Sequence, residues 1–194
     1  MAPETGKMIV LNGATSAGKS TLTLAAQQLF PIPLMRFSFD LFIDGDILPL
    51  ARVRKGEFAW STMRPSVLGG FYQCLPVLAR AGNNLILDYI VESKEDLANL
   101  LRLLNGLDVF FVGLHCSLEE LERREAARGN RPRGEARNDL KIVHKWTTYD
   151  LELNSEEATV EDNATQLLAA WGKRTQPTAF AKMAQELGIQ SLKI

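Results

Sequence analysis

Two cysteines, two histidines and almost no net charge leave several classes of function without support in this 194-residue chain. Cys74 and Cys116 lie far apart in apolar surroundings, which predicts two buried free thiols rather than a disulfide framework or a zinc site. His115 and His144 have no metal-ligand spacing with them. A formal net charge of −1 supplies no basic field for nucleic acid or an anionic membrane, so any basic site must be local. No apolar run approaches the roughly 18 residues of a membrane span. The polar start MAPETGK has no signal-peptide pattern, and the expected location is the cytoplasm. Repeats and low-complexity tracts are missing too. What remains, 46% hydrophobic and 23% charged residues, is the composition of a globular domain long enough to bury a full core.

Within that ordinary composition stands one stretch of strong local character. Met8-Ile9-Val10-Leu11 is a short apolar run, and an apolar-periodic segment begins at Leu22. Between them Gly13-Ala14-Thr15-Ser16-Ala17-Gly18-Lys19-Ser20, followed by Thr21, spells G-x-x-x-x-G-K-[ST]. Phosphate needs many N–H donors at close range, so a loop that wraps it must keep side chains out of the way. Helix N–H groups and the positive end of the helix dipole then face the same anion. Lys19 can reach β- and γ-phosphates, and the Ser20 hydroxyl is placed to ligate Mg²⁺. The stretch predicts a nucleotide-phosphate site.

Further along, Leu34 to Phe39 reads as a second strand closed by Asp40, and Asp44 and Asp46 follow closely. An acid just beyond a parallel strand lies near the ligand crevice of an open α/β sheet, although it can equally cap a helix. Residues 50–65 mix Arg52, Arg54, Lys55 and Arg64 with Phe58 and Trp60. That is the least regular part of the first half, either an excursion that holds a substrate or an ordinary surface loop. A helix is predicted over 66–80, kinked or started by Pro76. Leu85-Ile86-Leu87-Asp88 is a buried strand closed by an acid, the Walker B pattern of a magnesium ligand. Helices over 94–104 and from Ser117 to about Arg128, a strand over 108–114, and a helix over 135–146 come next. A fifth strand over 149–153, a helix over 159–171 and an amphipathic segment over 178–187 complete the chain.

Six arginines crowd into residues 123–137: Arg123, Arg124, Arg128, Arg131, Arg133 and Arg137. Arg123 and Arg124 read as partners of neighbouring glutamates on a solvated helix face. Arg128, Arg131 and Arg133 straddle a Gly/Pro-interrupted loop and read as an arginine lid over phosphates, spanning about 128–137. Alternating strands and helices predict a three-layer α/β P-loop NTPase domain with a five-stranded parallel sheet, nucleoside-monophosphate-kinase-like. It is expected over residues 1–175, with a C-terminal helical tail over 176–194.

Taken together, the P-loop, Phe37-Ser38-Phe39-Asp40 with Ile43-Asp44, Ile86-Leu87-Asp88, Ala127-Arg128-Gly129-Asn130-Arg131 and Val143-His144 leading to Tyr149-Asp150 resemble the chloramphenicol phosphotransferase family. The resemblance spans roughly residues 8–171. It implies strand order 2-3-1-4-5 and an ATP-dependent kinase acting, with Mg²⁺, on the primary hydroxyl of an antibiotic. It also implies Asp40 as catalytic base, Lys19 and Ser20 as phosphate and magnesium contacts, and Arg128 and Arg131 as lid arginines. The segment 49–68, which forms that family's acceptor pocket, is shorter and different here, so the reaction type is implied more strongly than the acceptor. Nucleotide, shikimate or gluconate kinases share this architecture and are the main rivals. A regulatory P-loop NTPase is disfavoured, because no N-K-x-D motif occurs and Asp88 is followed by Tyr-Ile-Val.

Overall fold

A computed structural model describes residues 4–128 and 134–189. Five strands form one sheet in the order β2-β3-β1-β4-β5: β1 Met8–Asn12, β2 Met35–Ser38, β3 Leu85–Tyr89, β4 Val109–His115 and β5 Leu151–Asn154. Every pairing is parallel, with Leu11 opposite Asp88 and Asn12 opposite Tyr89 and Gly113. Helices cover both faces, which is why the central strands are apolar throughout rather than alternating. β1 shows the consequence. Ile9 and Leu11 enter one core, while Met8 and Val10 enter the other.

The first core lies under α1 Lys19–Leu29, α6 Leu118–Arg128, α7 Glu135–Leu140 and α8 Val160–Gly172. The second lies under α4 Trp60–Arg80, α5 Lys94–Leu104 and α9 Ala179–Glu186. Two short helices, α2 Phe39–Asp44 and α3 Leu50–Arg54, bridge β2 to α4. The amphipathic segment near the C-terminus packs back on the sheet: Phe180 meets Phe111 edge-on at 5.8 Å, and Thr178 caps α9 by accepting from the Ala181 amide. Each such large side chain, fully buried, contributes about 1.5–3 kcal/mol.

Four expectations need correction. The helix predicted from Ser66 begins at Trp60 and runs unbroken through Pro65 and Pro76 to Arg80. An interior proline costs about 3 kcal/mol, but burial of Phe71, Leu75, Pro76 and Ala79 offsets that cost. Residues 50–65, read as irregular, hold α3 and the first turn of α4. The helix predicted over 135–146 is regular only to Leu140 and continues as tighter turns, in which the amides of Lys141, Ile142 and Lys145 donate to the carbonyls of Asn138, Asp139 and Ile142, each three residues back. Cys116 is buried as expected, whereas Cys74 is half-buried and donates to the Gly70 carbonyl; both thiols are free.

Candidate active site

The loop between β1 and α1 turns tightly on Gly13, where any Cβ would stand 2.6 Å from the Leu114 carbonyl oxygen. It leaves on Gly18 at φ 94°, in the left-handed region that favours glycine. Ala14 and Ala17 are buried against the first core. Lys19 folds back on the loop, with Nζ donating to the carbonyls of Gly13 (2.8 Å) and Ala14 (2.9 Å) and lying 3.8 Å from Asp88 Oδ1. Ser20 Oγ donates to the other Asp88 oxygen at 2.6 Å. Parallel pairing of β3 with β1 therefore delivers the β3 acid directly to the lysine and serine of the loop.

Asp40 arrives from the other side. Ser38 Oγ accepts from the Leu41 amide at 3.2 Å and starts α2, which sets Asp40 in the first helical turn. A hollow of about 50 Å³ brings together Lys19, Ser20, Asp40, Asp88 and Arg128, the last residue of α6. Asp44 and Asp46 line neither this hollow nor the cavity next to it. Arg131 and Arg133 lie outside the described residues.

Two larger cavities flank the hollow. One, about 640 Å³, shares Asp40 and Asp88 with it and is walled by α2, α3 and α4 through Ile43, Val53, Trp60 and Leu68. Of the mixed basic and aromatic segment, Arg54, Trp60 and Arg64 face this cavity, and Arg64 pairs with Glu92 at 3.3 Å. Arg52 instead pairs with Glu57 and stacks on Phe58, an ordinary surface arrangement. Tyr72 and Tyr89 form part of the wall; burial pushes the Tyr72 hydroxyl up to about 12 and raises Tyr89 as well. The second cavity, about 430 Å³, lies on the outer side of the loop, where Thr21, Arg124 and Arg128 meet Ser155 and Asn163.

Among the described arginines, Arg123 and Arg124 pair with a glutamate as the sequence suggests. Arg123 and Arg124 share Glu120, whose carboxyl their hydrogen bonds hold down at about 2. Arg124 also donates to the Ser155 side chain and carbonyl (3.0 and 2.9 Å), so it buttresses the outer cavity. Glu125, counted from sequence among the surface partners, is buried instead. Its carboxylate accepts from the amides of Gly134 (2.7 Å) and Ala136 (2.9 Å), the start of α7. Arg137 bonds Glu122 on α6.

Several residues that tie the site together escaped sequence reading. Asp139 on α7 accepts from the Thr15 amide at 2.9 Å and thereby joins α7 to the phosphate loop. Asn12 donates to Val143 O and Tyr149 Oη and accepts from the Val91 amide, so one side chain links three chain segments. Tyr149 Oη also meets His144 Nδ1 and Thr147 Oγ1, each at 2.6 Å. His144 stacks on His115 at 4.0 Å, and burial, with His115 and Lys19 nearby, lowers it to about 4. The signal available for this cluster was a polar Asn12 closing an otherwise apolar strand.

A family model described as chloramphenicol phosphotransferase-like protein matches residues 6–172. A protein of Mycobacterium tuberculosis (strain H37Rv), described provisionally as an O-phosphotransferase, is 32% identical over 197 residues, covering 92% of this chain and 88% of that protein. Among solved structures, the Mycobacterium tuberculosis APS kinase in complex with AMPPNP and APS superposes with TM-score 0.65 at 18% identity, covering 88% of this chain and 99% of that one. Shikimate kinase from Acinetobacter baumannii, solved with shikimate, gives 0.57 at 19% identity, with 89% and 97% covered. At these identities the two structures bear on the fold, a P-loop kinase fold.

Proposed function

The chain belongs to the chloramphenicol phosphotransferase-like family, and on that premise we propose that it transfers the γ-phosphoryl group of ATP to a hydroxyl of a small molecule, chloramphenicol or a related antibiotic. Membership makes it a kinase-like P-loop phosphotransferase of small molecules; ATP as donor and the antibiotic as acceptor are the proposal. One observation carries it. The small hollow that gathers Lys19, Ser20, Asp40, Asp88 and Arg128 opens through Asp40 and Asp88 into a cavity large enough for a small organic acceptor.

In the proposed reaction the phosphates lie on the amides of residues 13–21 and on the first turn of α1. Lys19 turns from the loop carbonyls to the β- and γ-oxygens. Ser20 and Asp88 would hold magnesium: one hydroxyl and one carboxylate 2.6 Å apart are oxygen donors suited to an ion that keeps waters and binds phosphate oxygens. When bound, the ion neutralises charge on those phosphate oxygens. Asp40 accepts a hydrogen bond from the acceptor hydroxyl and takes its proton as the oxygen attacks γ-phosphorus and the bond to the ADP oxygen breaks. Arg128, together with Arg131 and Arg133, offsets the charge and excludes water that would otherwise consume ATP. No described helix is long and apolar enough to cross a membrane.

Arg54 and Arg64 on the acceptor cavity favour one second reading, an acidic acceptor such as a nucleotide, shikimate or gluconate-type acid. The test is ADP release from MgATP across a panel of hydroxylated antibiotics, nucleosides, sugars and sugar acids. Acceleration by chloramphenicol is expected. Acceleration by acidic acceptors alone supports the second reading, and ADP release unaffected by any acceptor would overturn both.

A further inference from the structure

Among the described residues, one buried side-chain polar atom without a hydrogen-bond partner borders the hollow that gathers Lys19, Asp40 and Asp88: Ser16 Oγ. Ser16 is 8% exposed. A buried hydroxyl with no partner is costly to a folded chain and therefore calls for an explanation. Its backbone adds a second oddity. Ser16 has φ 67°, a conformation in which glycine would be free of strain and serine is not. A serine thus stands where the backbone suits glycine, and its hydroxyl has no hydrogen-bond partner among the described residues.

Its location suggests the partner. Among the described residues, Ser16, Gly18 and Arg128 alone line both the 50 Å³ hollow with Asp40 and Asp88 and the 430 Å³ outer cavity. The hollow is where the proposed transfer occurs, and the outer cavity is left for the rest of the nucleotide. Residues common to both stand where the chain of phosphates must pass between them, beside the β-phosphate and its bridge to the γ-phosphorus. Gly18 offers only backbone there and Arg128 a full charge. Ser16 offers a neutral donor with no competing partner.

Resting on the kinase reading above, we propose that Ser16 is a catalytic residue that donates its hydroxyl hydrogen to the oxygen bridging the β- and γ-phosphates. When the bond from that oxygen to γ-phosphorus breaks, its electron pair stays on the oxygen, which becomes a terminal β-phosphate oxygen of ADP. Charge grows there as the transition state forms. The serine proton is not transferred; the hydrogen bond strengthens as its acceptor gains charge, which is stabilisation of the transition state above the ground state.

This makes a binding prediction that does not depend on knowing the acceptor. ADP presents a charged oxygen at that position, whereas the methylene analogue of ATP presents a CH₂ group, which neither accepts from the hydroxyl nor donates to it. Calorimetric affinities for MgADP and for the magnesium methylene analogue are compared in wild type, Ser16→Ala and Ser16→Gly. Both variants should weaken MgADP roughly tenfold, the worth of one hydrogen bond to a charged group, and leave the methylene analogue within about twofold. The glycine variant removes the hydroxyl while relieving the backbone. Restoration of MgADP affinity in Ser16→Gly would assign any loss in Ser16→Ala to strain, and equal loss of both nucleotides, or of neither, would likewise overturn the proposal. If the predicted pattern holds but no acceptor accelerates ADP release from wild type, the serine contact stands and the kinase reading falls.

Discussion

Replacing Glu125 removes one side chain and strips two amides of their acceptor. The first amides of any helix lack partners within it, and α7 begins where Glu125 reaches across from α6 to the amides of Gly134 and Ala136. Ala136 is fully buried, so its amide gains no water when the carboxylate goes and should cost about 1–3 kcal/mol. Gly134 is only partly buried, and its amide can rehydrate at a smaller cost. With the lost attraction between a carboxylate and a helix N-terminus, about 0.3–1 kcal/mol, Glu125→Ala should destabilise the protein by about 2–4 kcal/mol. Glu125→Gln keeps one acceptor oxygen and turns an N–H₂ toward the other amide, so about half that loss is expected. The assay is urea denaturation, read as a lower midpoint at constant slope. Hydrogen exchange at residues 134 and 136 would show whether α7 opens locally before the rest unfolds. A loss below about 0.5 kcal/mol in Glu125→Ala, the level of an ordinary surface change, would refute the reasoning and return Glu125 to the solvated helix face.

Two other outcomes follow from the site. His144 titrates near 4 in the folded chain because burial, His115 and Lys19 disfavour its charged form, against about 6.5 when unfolded. As pH falls from about 6.5 to 4 the unfolded chain takes up a proton that the folded chain refuses, so stability declines through that window and is unaffected above it. His144→Gln should flatten the decline, and an unchanged slope would contradict the assignment. Asp40→Asn should lower turnover by about 10²–10⁴-fold, as expected for loss of a general base, while calorimetry still shows ATP binding; collapse of ATP binding would make Asp40 a structural or metal-holding residue instead.

Local chemistry decided how much of this could be read in advance. The phosphate loop and Asp88 of β3 follow from short apolar runs closed by characteristic residues, whereas the β2-β3-β1-β4-β5 order came only by analogy with related kinases; the structure sets Lys19, Ser20 and Asp88 within hydrogen-bond or ion-pair reach of one another. Elements held by long-range packing were harder. α4 runs through two prolines because its apolar face is buried, a tertiary effect that overrides the local signal. Glu125 looked like its surface neighbours, since sequence spacing gives the face of a residue and not what folds over that face. Asn12, Asp139 and Tyr149 form links across 79 to 137 positions only through the fold, and sequence spacing does not reveal such partners. Residues 50–65 could be read from sequence either as a substrate-holding excursion or as a surface loop, and the division between Arg54, Trp60 and Arg64 on the cavity and Arg52 outside it needed the helices in place.

The central claim is that the loop lysine, the two aspartates and the arginine carry a phosphoryl group to an alcohol. It is tested most directly by incubating the protein with MgATP and chloramphenicol and locating phosphate in the product by mass spectrometry and phosphorus NMR. The account predicts one phosphate on the primary hydroxyl, formed with equimolar ADP by wild type and not by Lys19→Met, whose fold remains intact. Phosphorylated product from Lys19→Met at the wild-type rate would contradict it.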